Sequence, residues 1–192
     1  MRIGVLALQG DFIEHIAVLR RLGVEAVELR LPEHLEGLDG LIIPGGESTT
    51  IGKLAGEYQL IEPLRRFGND KAVWGTCAGA IFMSKDVRRQ QPLLGLMDIH
   101  VERNAFGRQV ASFEIDLEVP ALKVVAKNGG PFHAIFIRAP LIEKVKGAAS
   151  VMATLPDGRI VAAQEGHWLA TSFHPELTGD DRFHRYFLTL VS

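Results

Sequence analysis

Leu38-Asp39-Gly40-Leu41-Ile42-Ile43-Pro44-Gly45-Gly46-Glu47-Ser48 begins as a continuous apolar run of strand length and ends in a proline and two glycines. A strand with one wet face alternates in polarity, whereas an unbroken run suits a strand covered on both faces of a parallel sheet. Gly37 to Ile43 therefore reads as such a strand. Working back toward the start, Val24 to Leu29 is another strand, and Gly23 stops a helix that carries Phe12, Ile16, Leu19 and Leu22 at helical spacing. Gly10-Asp11 supplies a turn and the N-cap of that helix, and Arg2 to Leu8 (RIGVLAL) is the first strand. Strand, helix, strand in quick succession predicts βαβ winding and an α/β fold.

Working forward, the chain turns helical through roughly Phe67, Ala72-Val73-Trp74 makes a short strand ending at Gly75, and a helix begins beside Ala78. From about Ile99 the segments IHVERNAFGRQ, VASFEIDLEV, AIFIRAP, RIVAAQEG and HWLATSF are β-rich and separated by turn residues. They either extend the sheet or form a smaller antiparallel layer. Thr178-Gly179-Asp180-Asp181 caps a final helix, Arg182 to Leu190. No repeat, low-complexity tract or linker divides the chain, so residues 1–192 are expected to form one domain.

With 192 residues, 47% of them hydrophobic, the chain can bury one core without disulfides or metals. A formal net charge of −2 gives no reason to expect nucleic acid or an anionic membrane as partner. One cysteine makes no internal disulfide and no multi-thiolate zinc site, which points to a cytoplasmic protein. Met1 to Leu8 is too short to span a bilayer and lacks a cleavage pattern, so it reads as a strand and not as a signal peptide.

The strongest chemical signal is Gly75-Thr76-Cys77-Ala78-Gly79. Glycines two residues to either side of a nucleophile permit a tight, strained strand-to-helix turn that projects the side chain from the sheet. The helix N-terminus below offers unpaired N–H groups and a positive dipole end that favour the thiolate, and the Ala78 N–H can stabilise an oxyanion. A lone cysteine is more often a small buried hydrophobe, but the glycine frame reverses that expectation. The second signal is His174-Pro175-Glu176 after the strand-like run Leu169 to Phe173. Proline biases its predecessor toward extended backbone, where residues i and i+2 share a face, so the carboxylate can orient the imidazole as a base. Alone, such a tripeptide is a common surface turn; its combination with Cys77 gives it weight.

Pro44-Gly45-Gly46-Glu47-Ser48 is either a flexible turn or a loop whose backbone approaches a ligand and completes an oxyanion hole. It lacks the lysine placement of a phosphate loop. Arg103, Arg108 and Arg138 lie amid apolar β-segments, and each either binds a carboxylate or closes an internal salt bridge. His15, His34, His100, His133, His167 and His184 show no metal-ligand spacing and read as ordinary surface or core residues. No metal and no cofactor are expected.

With IGVLALQGDFIEH, LIIPGGESTT, GTCAG, VERNAFGRQ, FIRAP and SFHPELTGD in order along nearly the whole chain, the sequence resembles the class I (triad) glutamine amidotransferases. Within them it is similar to the glutaminase subunits of pyridoxal 5'-phosphate synthase. GTCAG and HPE indicate the superfamily, and VERNAFGRQ and FIRAP narrow it. The resemblance implies a flavodoxin-like α/β fold with a mostly parallel central sheet flanked by helices and a smaller antiparallel β element. It implies that Cys77 attacks the side-chain amide of L-glutamine, that His174 acts as base and then acid, and that Glu176 orients His174. It assigns glutamine contacts to Gly46, Glu47, Ser48, Arg103, Ile137 and Arg138, and the oxyanion hole to the backbone N–H groups of Gly46 and Ala78. Gln9 falls in a segment that reorganises the hole when the partner docks. Ala80, where a larger apolar residue is common in the family, is a minor packing change.

The implied product, ammonia, needs an acceptor site close by, and the chain leaves no room for a second catalytic domain. The resemblance supplies the acceptor: a separate synthase subunit that builds pyridoxal 5'-phosphate in a hetero-oligomeric complex, without which the isolated chain is expected to be weakly active. Other readings keep the elbow but change its use, as in amidotransferases of histidine, purine or folate pathways or a cysteine peptidase of similar fold. A flavodoxin-like binding protein with a reactive cysteine is the non-enzyme reading, and it predicts that His174 and Glu176 do not converge on Cys77.

Overall fold

The computed structural model describes residues 1–87, 90–103 and 112–191. In chain order the elements are β1 (Arg2–Leu6), α1 (Phe12–Arg21), β2 (Glu25–Leu29), β3 (Gly40–Ile43), α2 (Ser48–Glu57), α3 (Ile61–Asp70), β4 (Ala72–Thr76) and α4 (Ala78–Met83). There follow β5 (Ser84–Asp86), β6 (Met97–Glu102), β7 (Ser112–Leu117), β8 (Phe132–Ile137), β9 (Leu141–Val145), β10 (Ser150–Thr154), β11 (Ile160–Glu165), β12 (Trp168–Thr171) and α5 (Arg182–Leu190).

The main sheet runs β2-β1-β3-β4-β12-β11-β9-β6-β5, with β10 paired to β11. Its first five strands are mutually parallel, and β11 then turns antiparallel to β12. β7 and β8 form a separate antiparallel pair. The β-rich half of the chain thus extends the sheet and also builds the smaller layer.

The unbroken apolar reading of β3 has a direct cause. Leu41 and Ile43 pack with Ile51 and Ala55 of α2, Leu64 of α3 and Phe82 of α4 on one face. Ile42 points the other way, into a core with Ile16 and Leu19 of α1 and Phe183 and Phe187 of α5. All four β3 residues are buried because both faces are covered. β4 repeats the pattern: Val73 joins the first face, while Ala72 and Trp74 join the second.

Several elements differ from expectation. The helix read through Phe67 is two helices, α2 and α3, broken at Tyr58-Gln59-Leu60, where Gln59 adopts a positive φ of 56°. Short β5, β9 and β10 carried no clear periodic signal, being three to five residues long. Asp11 stands at the N-cap position of α1 but makes no side-chain cap bond; its carboxylate is drawn toward His174 instead. At α5 it is Asp180 that accepts from the Arg182 N–H, at 3.0 Å, while Asp181 makes no side-chain cap. No helix among the described residues is long and apolar enough to cross a membrane.

Candidate active site

Parallel register brings together residues far apart in the chain. β3, β4 and β12 are adjacent, with Ile43 opposite Gly75 and Thr76 opposite Thr171. Their carboxyl ends release Gly45-Gly46, Cys77 and His174 side by side, at the edge where open α/β sheets place ligands. Arg103 follows β6, and Ile137-Arg138 lies at the end of β8, so both reach the same rim. The cavity there has a volume of about 490 Å³ and is lined by Gln9, Gly46, Glu47, Ser48, Cys77, Ala78, Arg103, Ile137, Arg138 and His174 among others. Every residue to which the family resemblance assigns a site role lines it except Glu176, which lies buried behind His174.

The elbow is strained as its glycines predict. Cys77 holds φ 48° and ψ −106°, and its N–H donates to the Thr171 carbonyl at 2.8 Å. A Cβ at Gly79 would stand 1.9 Å from the Ile43 carbonyl oxygen, and one at Gly75 would stand 2.5 Å from the Gly79 backbone. Only glycine lets β3, β4 and the first turn of α4 approach this closely. Of the three non-glycine residues with positive φ among those described, two, Cys77 and Arg138, line the cavity.

His174 is positioned on three sides. Its backbone N–H donates to the Ile135 carbonyl of β8 at 2.9 Å, its ring rests on Gly45, and its side chain bonds Glu176 and lines the cavity together with Cys77. A Cβ at Gly45 would stand 2.4 Å from the ring Cε1, so this glycine clears space for the base. The His174 Nδ1 to Glu176 Oε1 distance is 2.6 Å. That contact does not come from an extended tripeptide: Pro175–Leu177 is a 3-10 turn, and the turn folds Glu176 back under the imidazole. Burial opposes charge on His174, but the hydrogen bonds and charges of Cys77 and Glu176 win and push its pKa up to about 10. Burial pushes Glu176 up, with the bond from His174 acting against it.

The opposite wall is polar. Glu47 caps α2 by accepting from Thr49 N–H at 3.2 Å and Thr50 N–H at 2.8 Å. Although burial would raise its pKa, hydrogen bonds from Thr49 and Thr50 hold it at about 2. Arg103 donates to Glu47 at 2.7 Å and to Gln91 at 3.2 Å, and Gln91 reaches Ser48 Oγ at 3.4 Å. Arg103 thus closes a salt bridge and still borders the cavity. Arg138 borders it too, with no ion pair among the described residues. Arg108 and most of the VERNAFGRQ block lie outside the described residues.

The loop 9–11 clamps the glycine turn. Gln9 Oε1 accepts from the Glu47 N–H at 2.7 Å, and the Asp11 N–H donates to the Gly45 carbonyl at 3.1 Å. Asp11 Oδ2 lies 3.4 Å from His174 Nδ1. Asp11, His174 and Glu176 each place one donor atom within 4.8 Å of the others, close enough to enclose a cation. Nδ1 and Oε1 are, however, already bonded to each other.

Sequence reading missed two residues. His15 of α1, read with His184 of α5 as an ordinary surface or core residue, is fully buried against Glu176, and His184 is fully buried against His15. A signal was present: His15 falls in the apolar stripe with Phe12, Ile16 and Leu19, and His184 sits beside Phe183 and Phe187.

A cysteine on a strained strand-to-helix turn and a bonded histidine–carboxylate pair, side by side at the carboxyl ends of a doubly covered parallel sheet, define an α/β protein with a candidate thiol site. The chain belongs to the SNO glutamine amidotransferase family, whose match spans residues 5–192. It is 56% identical over 195 residues to the "Pyridoxal 5'-phosphate synthase subunit PdxT" of Herpetosiphon aurantiacus, covering 99% of this chain and 100% of that one. The protein of the same description in Moorella thermoacetica is 55% identical over 193 residues, with both chains covered in full. A crystal structure described as a glutamine amidotransferase superposes with a TM-score of 0.90 at 53% identity over 98% of each chain. The structure of PurLQS from Thermotoga maritima shares the fold alone, at 14% identity and a TM-score of 0.72, over 100% of this chain and 98% of that one.

Proposed function

We propose that the chain, as one domain over residues 1–192, hydrolyses L-glutamine to L-glutamate and ammonia and delivers the ammonia to a separate synthase subunit for pyridoxal 5'-phosphate formation. The observation that carries this reading is that Cys77 and His174 line one cavity while Glu176 holds the imidazole from behind at 2.6 Å. In the reaction the Cys77 thiolate attacks the carboxamide carbon, and the negative charge moves to its oxygen, facing the Gly46 and Ala78 N–H groups. The His174 imidazolium gives its proton to the amide nitrogen, the C–N bond breaks, and ammonia leaves a glutamyl thioester. Water then attacks the thioester carbon while His174 takes its proton; the C–S bond breaks and glutamate departs. Glu176 fixes the His174 tautomer throughout.

Glu47, Ser48, Arg103, Ile137 and Arg138 are the glutamine contacts in this reading, with the guanidinium of Arg138 available to the substrate carboxylate. Dependence on the partner has a physical route as well. Gln9 occupies the Glu47 N–H, and loop 9–11 packs against Gly45-Gly46, so a subunit that moves this loop resets the oxyanion turn. The description of the relatives as synthase subunits supports such a partner.

The test is glutamate release from glutamine by wild type and Cys77→Ala, each with and without the pyridoxal phosphate synthase subunit. Wild type should be weak alone and strongly stimulated by the partner, and Cys77→Ala inert in both. A partner-supplemented wild type that releases no glutamate overturns the assignment.

A further inference from the structure

Behind the triad, Glu176 is a carboxylate with 0% side-chain exposure whose Oε1 is bonded to His174, while Oε2 has no conventional hydrogen bond among the described residues. A buried carboxylate oxygen without a donor is costly and weakens the charged form that the base needs. The side chain that meets Oε2 is His15, whose Nε2 lies 3.3 Å away and is equally buried. The same nitrogen is 3.3 Å from Thr76 Oγ1, in the residue just before the nucleophile. On its far side, His15 Nδ1 lies 2.9 Å from His184 Nε2.

The protons in this chain can be assigned by counting. Burial lowers the pKa of both histidines, His15 well below its ordinary value and His184 to about 3, so each ring is neutral and carries one proton. His184 Nδ1 is buried without a hydrogen-bond partner among the described residues. A proton there would be an orphaned donor, so it belongs on Nε2, which then donates to His15 Nδ1. His15 must in turn carry its proton on Nε2, directed between Glu176 Oε2 and Thr76 Oγ1. The rings are also fixed against Trp74, edge-on, with centroids 5.6 Å away for His15 and 4.9 Å for His184.

We propose that His15 is a positioning residue for the glutaminase reaction: its Nε2–H, set by His184, holds Glu176 so that Oε1 keeps the His174 imidazole aligned on Cys77. A neutral donor suits this place. It stands against the second carboxylate oxygen, at 3.3 Å, without adding a positive charge that would compete with His174 for the negative one. This inference rests on the proposed glutaminase reading.

The experiment compares His15→Leu with His15→Gln, each in complex with the synthase subunit and each checked for a native unfolding transition. His15→Leu removes the donor at similar volume, and kcat should fall roughly tenfold with KM within about twofold, because Glu176 acts on the imidazole and not on bound glutamine. The acid limb of its kcat profile should move to higher pH. His15→Gln, whose amide N–H reaches the same place, should recover most of kcat and restore the profile. Wild-type kcat and profile in His15→Leu would overturn the proposal, as would equal impairment in a folded His15→Gln. Nitrogen-15 NMR of the unaltered protein tests the proton assignment without any substitution: a proton on His15 Nε2 supports it, and one on Nδ1 overturns it. If wild type releases no glutamate, the glutaminase reading fails, while the NMR result still judges the proton assignment.

Discussion

At the scale of single residues, the site rests on one charge arrangement. His174 stays protonated up to about pH 10, so near neutrality it is the cation that would form an ion pair with Cys77 on ionisation of the thiol. Iodoacetamide should therefore alkylate Cys77 at pH 6 faster than it alkylates a free cysteine, whose pKa is about 8.5. His174→Ala should erase that advantage, and equal rates in wild type and variant would contradict the ion pair. Glu176→Gln keeps an oxygen for the Nδ1–H but removes the charge and can present the wrong tautomer. Its kcat for glutamine hydrolysis should fall on the order of 10²- to 10⁴-fold, measured as glutamate release with the partner present. The strained turn at Cys77 and the His174–Glu176 pair were legible in sequence because elbow glycines and the His-Pro-Glu tripeptide are local patterns. His15 was not, because its partners stand 61, 161 and 169 positions away and meet it only through packing.

At the scale of elements, the β3–β4–α4 junction depends on backbone approach. Gly79→Ala would drive a methyl into the Ile43 carbonyl, which belongs to a rigid central strand and cannot yield as a side chain can. The expected cost is about 1–3 kcal/mol in urea unfolding, together with loss of glutaminase activity. Gly56→Ala provides the contrast. Gly56 is exposed on α2, and a methyl added there would meet nothing within 4 Å, so that variant should gain roughly 0.5–1 kcal/mol through helix propensity and leave activity unchanged. If both variants behaved alike, crowding at the junction would not be what demands glycine there. Strands β1, β3 and β4 were readable because doubly buried strands are continuous apolar runs. The α2–α3 break at Gln59 and the brief β5, β9 and β10 were not, since three- to five-residue pairings carry too little period to detect.

At the scale of the whole molecule, the two faces of the sheet are unequal in chemistry. The α1–α5 face buries His15 and His184 beside Trp74, Phe183 and Phe187, and both histidines are held neutral by burial. The unfolded chain takes up protons on them below about pH 6.5 while the folded chain does not. Their contribution to stability is present above that pH and is lost as pH falls toward the folded value, about 3 for His184. His174 has the opposite sign: its raised pKa adds stability that is full below about 6.5 and lost as pH rises through about 10. The urea midpoint should therefore drop between about pH 6.5 and 5, and His184→Phe should flatten that slope even if it lowers the midpoint overall. An unchanged slope would mean that His184 is not buried in its neutral form. By itself the sequence determined the parallel α/β winding, the tight turn at Cys77 and the pairing of His174 with Glu176, because each is written in neighbouring residues or in a local period. Only the tertiary structure decided that Glu176 reaches His174 through a 3-10 turn, that Gly45 clears space for the imidazole, that loop 9–11 clamps the oxyanion turn, and that two histidines from opposite ends of the chain support the triad. Those features depend on strand register and helix packing across the sheet, which bring together groups that no spacing along the chain relates.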